Sequence, residues 1–132
     1  MLQVESYDIT LSKLHSSAEN RQVNVLIGSL ALKTTDADGR FTNRSFLIDR
    51  SGSIIARYDK IHMCDVKLSE AEVYQESRGY KPGSSAVLGR ADGLNVGMTI
   101  CYDVRFPHLY RALAPAGAEV LMVPSALAVA TG

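Results

Sequence analysis

The spacing of hydrophobic positions changes several times along the chain, and each change predicts an element. Ile9, Leu11, Leu14 and Ala18 fall near one stripe of a 3.6-residue period, so residues 9–20 are expected to form an amphipathic helix. Residues 23–32 (VNVLIGSLAL) are an almost continuous apolar run, as expected of a strand buried on both faces. A polar turn at 34–39 leads to two expected strands, 41–48 and 53–58. They are joined by Asp49-Arg50-Ser51-Gly52, a hairpin signal. From 59 to 85 the chain reads as irregular and polar, punctuated by Gly79, Pro82 and Gly83, and long loops of that kind often carry function. A short strand at 86–88 and a buried strand at 94–100 follow. Residues 106–114 predict a helix, with Pro107 in its first turn and Gly117 just past its end, and 119–124 (EVLMVP) predict another buried strand. This order of elements argues for an α/β or α+β sandwich.

Composition narrows the function classes. Lys plus Arg and Asp plus Glu are both 14 in 132 residues, so no basic excess suits nucleic acid or an anionic membrane surface. The apolar runs are too short to span a bilayer, and Met1 is followed by Gln3, Glu5 and Asp8 instead of a positive-then-apolar leader. A cytoplasmic protein is expected, with no nucleic-acid or membrane partner. Cys64 and Cys101 could pair by count, but a reducing compartment favours two free thiols. The buried strands outnumber what one or two helices can cover, and the chain stops soon after a core strand. Residues 1–132 are therefore expected to be the central portion of one larger domain.

Candidate chemistry begins at Cys101, where a buried strand ends and a turn leads into a helix. Exposure at a sheet edge and the field of an oncoming helix N-terminus suit a nucleophile there, although free cysteines are commonly buried and inert. Lys60 follows the second hairpin strand and could project into the same cleft, where an ammonium would lower the thiol pKa and stabilise an oxyanion. Its ordinary alternative is a solvated surface lysine. His62, Cys64 and Asp65 supply three metal-ligand types, but they crowd one another, no second cluster exists, and CxxC and HExxH are absent, so zinc is not expected. His62 is also the nearby candidate for a Cys–His pair, whereas His15 and His108 sit on expected helices as surface groups. Composition alone does not separate Glu76, Asn43 or Arg44 from ordinary polar residues. No GxGxxG or phosphate-loop spacing supports nucleotide binding.

Taken together, five motifs resemble the nitrilase superfamily of carbon–nitrogen hydrolases. Ile27-Gly28-Ser29 with Asn43 is similar to its GS…N strands, and YDKIHMCDV (58–66) to its lysine motif. Tyr74-Gln75-Glu76-Ser77 with Pro82-Gly83 is similar to its FxES…PG loop. CYDVRFP (101–107) resembles its cysteine motif, and Gly117-Ala118 with Pro124-Ser125-Ala126 its GA…PSAF strand. The resemblance runs from about Asp8 to Gly132 and is nearest to the branch of deaminated-glutathione amidase and ω-amidase. It implies a four-layer αββα sandwich, of which this chain covers the central part, truncated at both ends. It also implies an amidase that cleaves a small carboxamide through a cysteine thioester, without metal or cofactor, as a homo-oligomer when full length.

Carried over by residue, Cys101 is the nucleophile and Lys60 the oxyanion partner. Glu76 is the supporting glutamate, and the backbone N–H of Tyr102 completes the oxyanion pocket. The family's base glutamate has no counterpart here: Glu5, the one earlier glutamate, precedes a helix and stands too near Gly28. The base is expected upstream of this chain. The rival expectation is a catalytically inactive fragment or pseudo-enzyme with only a binding role. Cys64 and Leu127 stand where the family usually has Phe.

Overall fold

The computed structural model describes residues 3–35, 37–67 and 73–127. Helix α1 (Ile9–Arg21) begins where the Asp8 carboxylate caps the Leu11 N–H at 2.8 Å, and it ends at Gln22, in the left-handed region at φ 54°. Leu11 and Ala18 are buried and Leu14 partly so, but Ile9 is 67% exposed and lies outside the expected stripe.

Strands β1 (Val25–Lys33), β2 (Phe41–Ile48) and β3 (Ile54–Asp59) form an antiparallel sheet in that order. The turn between β2 and β3 is built as its residues suggest. Asp49 Oδ1 accepts from the Ser51 and Ser53 amides at 2.9 and 3.0 Å, and Gly52 takes φ 79°. One face of β1 and β2 buries Ile27, Leu32, Phe46 and Ile48 against Leu11 and Ala18 of α1. The expectation for β1 needs correction: Ser29 is exposed, so the strand is not buried on both faces, and among the described residues it lies at one side of its sheet. Its register with β2 shifts between Ile27 and Leu30, a bulge placed at Gly28-Ser29.

The second sheet has β6 (Val87–Ala91), β7 (Leu94–Met98) and β8 (Val120–Met122) in the order 6-7-8, antiparallel then parallel. Asp92 and Gly93 both have positive φ, 52° and 84°, the two-residue turn that an Asp-Gly pair favours. That hairpin extends β6 beyond the expected 86–88. The sheets face each other through Leu47, Ala56 and Tyr58 on one side and Ala91, Val96 and Met98 on the other. Helix α2 (Pro107–Leu113) covers the opposite face of β7, where Gly97 leaves room: a Cβ there would come within 2.8 Å of Leu121 and 3.3 Å of Leu113. The layering is helix, sheet, sheet, helix, an α/β architecture.

Residues 59–85 are less irregular than expected. Strands β4 (Asp65–Lys67) and β5 (Val73–Gln75) pair antiparallel, and a 3-10 turn, Glu76–Arg78, follows. Three-residue strands are too short to show a period of two in the sequence.

Candidate active site

Three chain segments converge on one cleft. β3 delivers Lys60, β5 delivers Glu76, and β7 delivers Cys101. Lys60 is fixed through its backbone on both sides: its N–H donates to Asn43 O at 2.9 Å, and its C=O accepts from Gly83 N–H at 2.8 Å. Its ammonium meets Glu76 Oε2 at 2.6 Å, and the two residues are only 3% and 5% exposed. The same oxygen accepts the Cys64 N–H at 2.7 Å, while Asn43 Nδ2 reaches Oε1 at 3.4 Å. A buried carboxylate with these donors holds the lysine tip in one place, because an unpaired charge there would carry a large desolvation cost.

Cys101 opens a 3-10 turn, Cys101–Arg105, directly after the Thr99-Ile100 extension of β7. Its φ is 47°, a left-handed conformation that side chains other than glycine's rarely adopt. Strain of this kind costs on the order of 1–3 kcal/mol and persists where the surroundings hold it. Here Cys101 N–H donates to Pro124 O at 2.9 Å, and Thr99 Oγ1 donates to Met122 O at 2.7 Å, tying the turn to the end of β8. Cys101→Gly is therefore expected to be more stable than Cys101→Ala by about 1 kcal/mol, the reverse of the usual order away from left-handed positions. Paired urea melts of the two variants of the intact protein measure this. An alanine variant of equal or greater stability would contradict the assignment of strain.

Lys60, Glu76 and Cys101 line one cleft of about 340 Å³, together with Gly28, Ser29, Asn43, Tyr74, Ile100, Pro124, Ser125 and Ala126. The bulge in β1 contributes to that wall. A Cβ on Gly28 would lie 2.9 Å from Pro124, so glycine lets β1 approach the segment after β8. Tyr102 does not line the cleft. Its ring lies edge-on to Phe106 at 5.4 Å, and its amide belongs to the first turn of the 3-10 helix, where that helix offers no acceptor.

Other candidates lie elsewhere. His62 turns away from a pairing with Cys101, its Nδ1 2.8 Å from Asp103 Oδ1 and its ring stacked on Phe106 at 3.7 Å. Asp65 accepts from Ser77 Oγ and N–H at 2.6 and 3.0 Å, so the side chains of His62 and Asp65 are committed to different partners. Cys64 and Cys101 are free thiols. Burial pushes the Cys64 thiol up, with the nearby Lys60 charge pulling the other way. His15 is partly buried on α1, and His108 is exposed on α2. Glu5 is paired with Arg44 at 2.8 Å and Arg57 at 2.7 Å. It lines a separate cavity of about 830 Å³ that contains none of Lys60, Glu76 or Cys101.

One residue that the sequence reading does not single out belongs to the site's surroundings. Asp103, 0% exposed, accepts four hydrogen bonds from around the lysine and cysteine segments. Its place two residues after the cysteine was the available signal.

This arrangement has close structural counterparts. The chain superposes on the C. elegans NitFhit protein with a TM-score of 0.83 at 28% identity, covering 92% of this chain and 30% of that one. It superposes on a glutamate-to-glutamine mutant of the amidase from Nesterenkonia sp. AN1 with a TM-score of 0.74 at 26% identity, covering 94% of this chain and 45% of that one. In that structure acrylamide has added to the active-site cysteine. The fold is thus of the nitrilase type. Residues 6–131 match the family Carbon-nitrogen hydrolase, and the chain belongs to that family. Among curated relatives, it is 37% identical over 121 residues to the deaminated glutathione amidase of Yersinia enterocolitica, covering 91% of this chain and 42% of that protein. The deaminated glutathione amidase of Synechocystis sp. is 38% identical over 121 residues, covering 90% and 44%. The chain spans less than half the length of these relatives. No helix among the described residues is long and apolar enough to cross a membrane.

Proposed function

We propose that these residues carry the nucleophile and the oxyanion partner of an amidase that hydrolyses small carboxamides. The observation that carries the proposal is the meeting in one cleft of a buried Lys60–Glu76 ion pair and a cysteine held at a left-handed turn. In this reading the Cys101 thiolate attacks the amide carbon, and Lys60 stabilises the oxygen as it gains negative charge. We assign the second donor to the backbone amide of Tyr102, which adjoins the cleft through Cys101 while its side chain lies against Phe106. Ammonia, protonated as the C–N bond breaks, leaves behind a thioester, and water then cleaves it to the carboxylic acid and the free thiol. Glu76 touches no reacting atom: it holds the Lys60 side-chain tip in place.

The proton of the thiol needs an acceptor. Among the described residues, Glu76 is the one carboxylate lining the cleft, and Lys60 and the Cys64 amide already occupy the oxygen nearest the lysine. We place the base in a part of the protein outside these residues, in keeping with a chain that spans 42–44% of its curated relatives. By the same argument, these residues on their own are expected to be inactive. The CYDVRFP form of the cysteine motif and the amidase relatives together favour amides over nitriles.

A panel of small aliphatic amides, including butyramide, and the matching nitriles tests this with the intact protein, reading released ammonia. Amides are expected to be turned over and nitriles to be poor substrates. If no amide releases ammonia, while the same amides bind by calorimetry, the site is a binding site without catalysis.

A further inference from the structure

We propose that Asp103 is a positioning residue that locks the lysine-bearing segment to the cysteine turn, with His62 as its partner; the inference rests on the roles given above to Cys101 and Lys60. The Asp103 carboxylate sits between the two segments, with three bonds to the lysine side and one to the cysteine side. Oδ2 accepts from Tyr58 Oη at 2.6 Å and from the Ile100 amide at 2.9 Å. Oδ1 accepts from the His62 amide at 3.0 Å and faces His62 Nδ1 at 2.8 Å. Tyr58 and His62 flank Lys60 by two residues on either side, and Ile100 immediately precedes Cys101.

The bonds extend outward from the carboxylate. The Ile61 amide donates to Tyr58 Oη at 3.3 Å, and the His62 ring lies flat on Phe106, with a tilt of 7°. Burial and the adjacent Asp103 carboxylate push the Tyr58 phenol well above its ordinary pKa, so the hydroxyl stays a donor. A fully buried carboxylate is tolerated where each oxygen is satisfied in this way. The consequence is geometric. Cys101 needs its neighbours to hold an unfavourable φ, and Asp103 pins the amide just before it to the segment that aims Lys60. Moving one moves the other.

The chemistry of an amide at this position makes the point sharp. In Asp103→Asn, one terminal atom becomes an NH2 donor. If it replaces Oδ2 it meets the Ile100 N–H, and if it replaces Oδ1 it meets the His62 N–H. In either orientation a buried backbone donor faces another donor, and one side of the lock opens. A shift of about 1 Å between nucleophile and partner can cost on the order of 100-fold in rate, and loss of a supporting residue about 10- to 100-fold.

The experiment uses the intact protein and four variants: Asp103→Asn, His62→Ala, His62→Asn and Cys101→Ala. Asp103→Asn is expected to lower kcat about 10- to 100-fold with KM within about twofold, and to slow alkylation of Cys101 by iodoacetamide. His62→Ala is expected to lower kcat about tenfold, and His62→Asn to recover most of it, because asparagine Nδ2 can donate where imidazole Nδ1 stood. Both His62 variants lose the Phe106 stacking, so their difference isolates the bond to Asp103. A folded Asp103→Asn protein with unchanged kcat and unchanged alkylation overturns the proposal. If Asp103→Asn does not fold, equal kcat in the two His62 variants overturns it instead. Retained turnover in Cys101→Ala would instead bring down the underlying reading of the site, which separates the two failures.

Discussion

Cys101→Ala in the intact protein is expected to reduce amide turnover by roughly 10,000-fold or more, with little change in melting temperature. The size of the effect follows from the covalent route: without the sulfur no thioester forms, and a bound amide then faces only water. The small stability effect follows from geometry. Alanine keeps the Cys101 backbone bond to Pro124 and the same left-handed φ, so the turn loses one half-buried sulfur and little else. Steady-state ammonia release and thermal melts check both halves. A loss of less than about tenfold would mean that another group delivers the nucleophile.

The second large effect concerns the buried pair. Glu76→Gln is expected to lower stability by about 3–5 kcal/mol, since a lysine ammonium only 3% exposed would keep hydrogen bonds but lose its counter-charge. Turnover should fall as well, because Lys60 would no longer be held at 2.6 Å from a carboxylate and would relax away from the cleft. Lys60→Met is expected to be similarly destabilising by leaving Glu76 unpaired. The double variant Lys60→Met with Glu76→Leu should regain much of the stability and none of the activity. Urea denaturation of the three variants beside kcat distinguishes structural support from chemistry. If stability and activity recover together in the double variant, Lys60 has no role at the reacting oxygen.

Much of the scaffold is written in the residue pattern, and the parts that are not have physical reasons. The long apolar runs led to β7 and β8, the Asp49–Gly52 turn to the β2–β3 hairpin, and Pro107 and Gly117 to α2 with its ends displaced by a residue. β1 reads as buried on both faces because its run is almost wholly apolar, and the exposure of Ser29 is set by what packs against the sheet. The Asp92-Gly93 pair is itself a hairpin signal, and its turn joins β6 to β7. β4 and β5 are too short for any periodicity, and their pairing depends on contacts rather than on local preference.

For the site, strand-end positions point to Cys101 and Lys60 and the motifs add Glu76 and Tyr102; the structure brings the first three into one cleft, and Tyr102 is not among its lining residues. Two features lay beyond any reading of residue types. The positive φ of Cys101 leaves no mark in the sequence, because glycine, the usual sign, is absent there. The four bonds to Asp103 come from Tyr58, Ile100 and His62, and residues about 40 positions apart meet there only once both sheets have formed.

The central claim is that the reacting sulfur is the one at position 101, opposite the paired lysine. Incubation of the intact protein with fluoroacetamide, whose acetamide moiety adds covalently to the active-site cysteine in a mutant of the Nesterenkonia amidase, followed by peptide mapping by mass spectrometry, tests it most directly. The expected result is one acetamide adduct on the peptide containing Cys101, formed at the rate of inactivation and slowed by excess butyramide. Labelling of Cys64 at that rate, or inactivation with Cys101 unmodified, would contradict it.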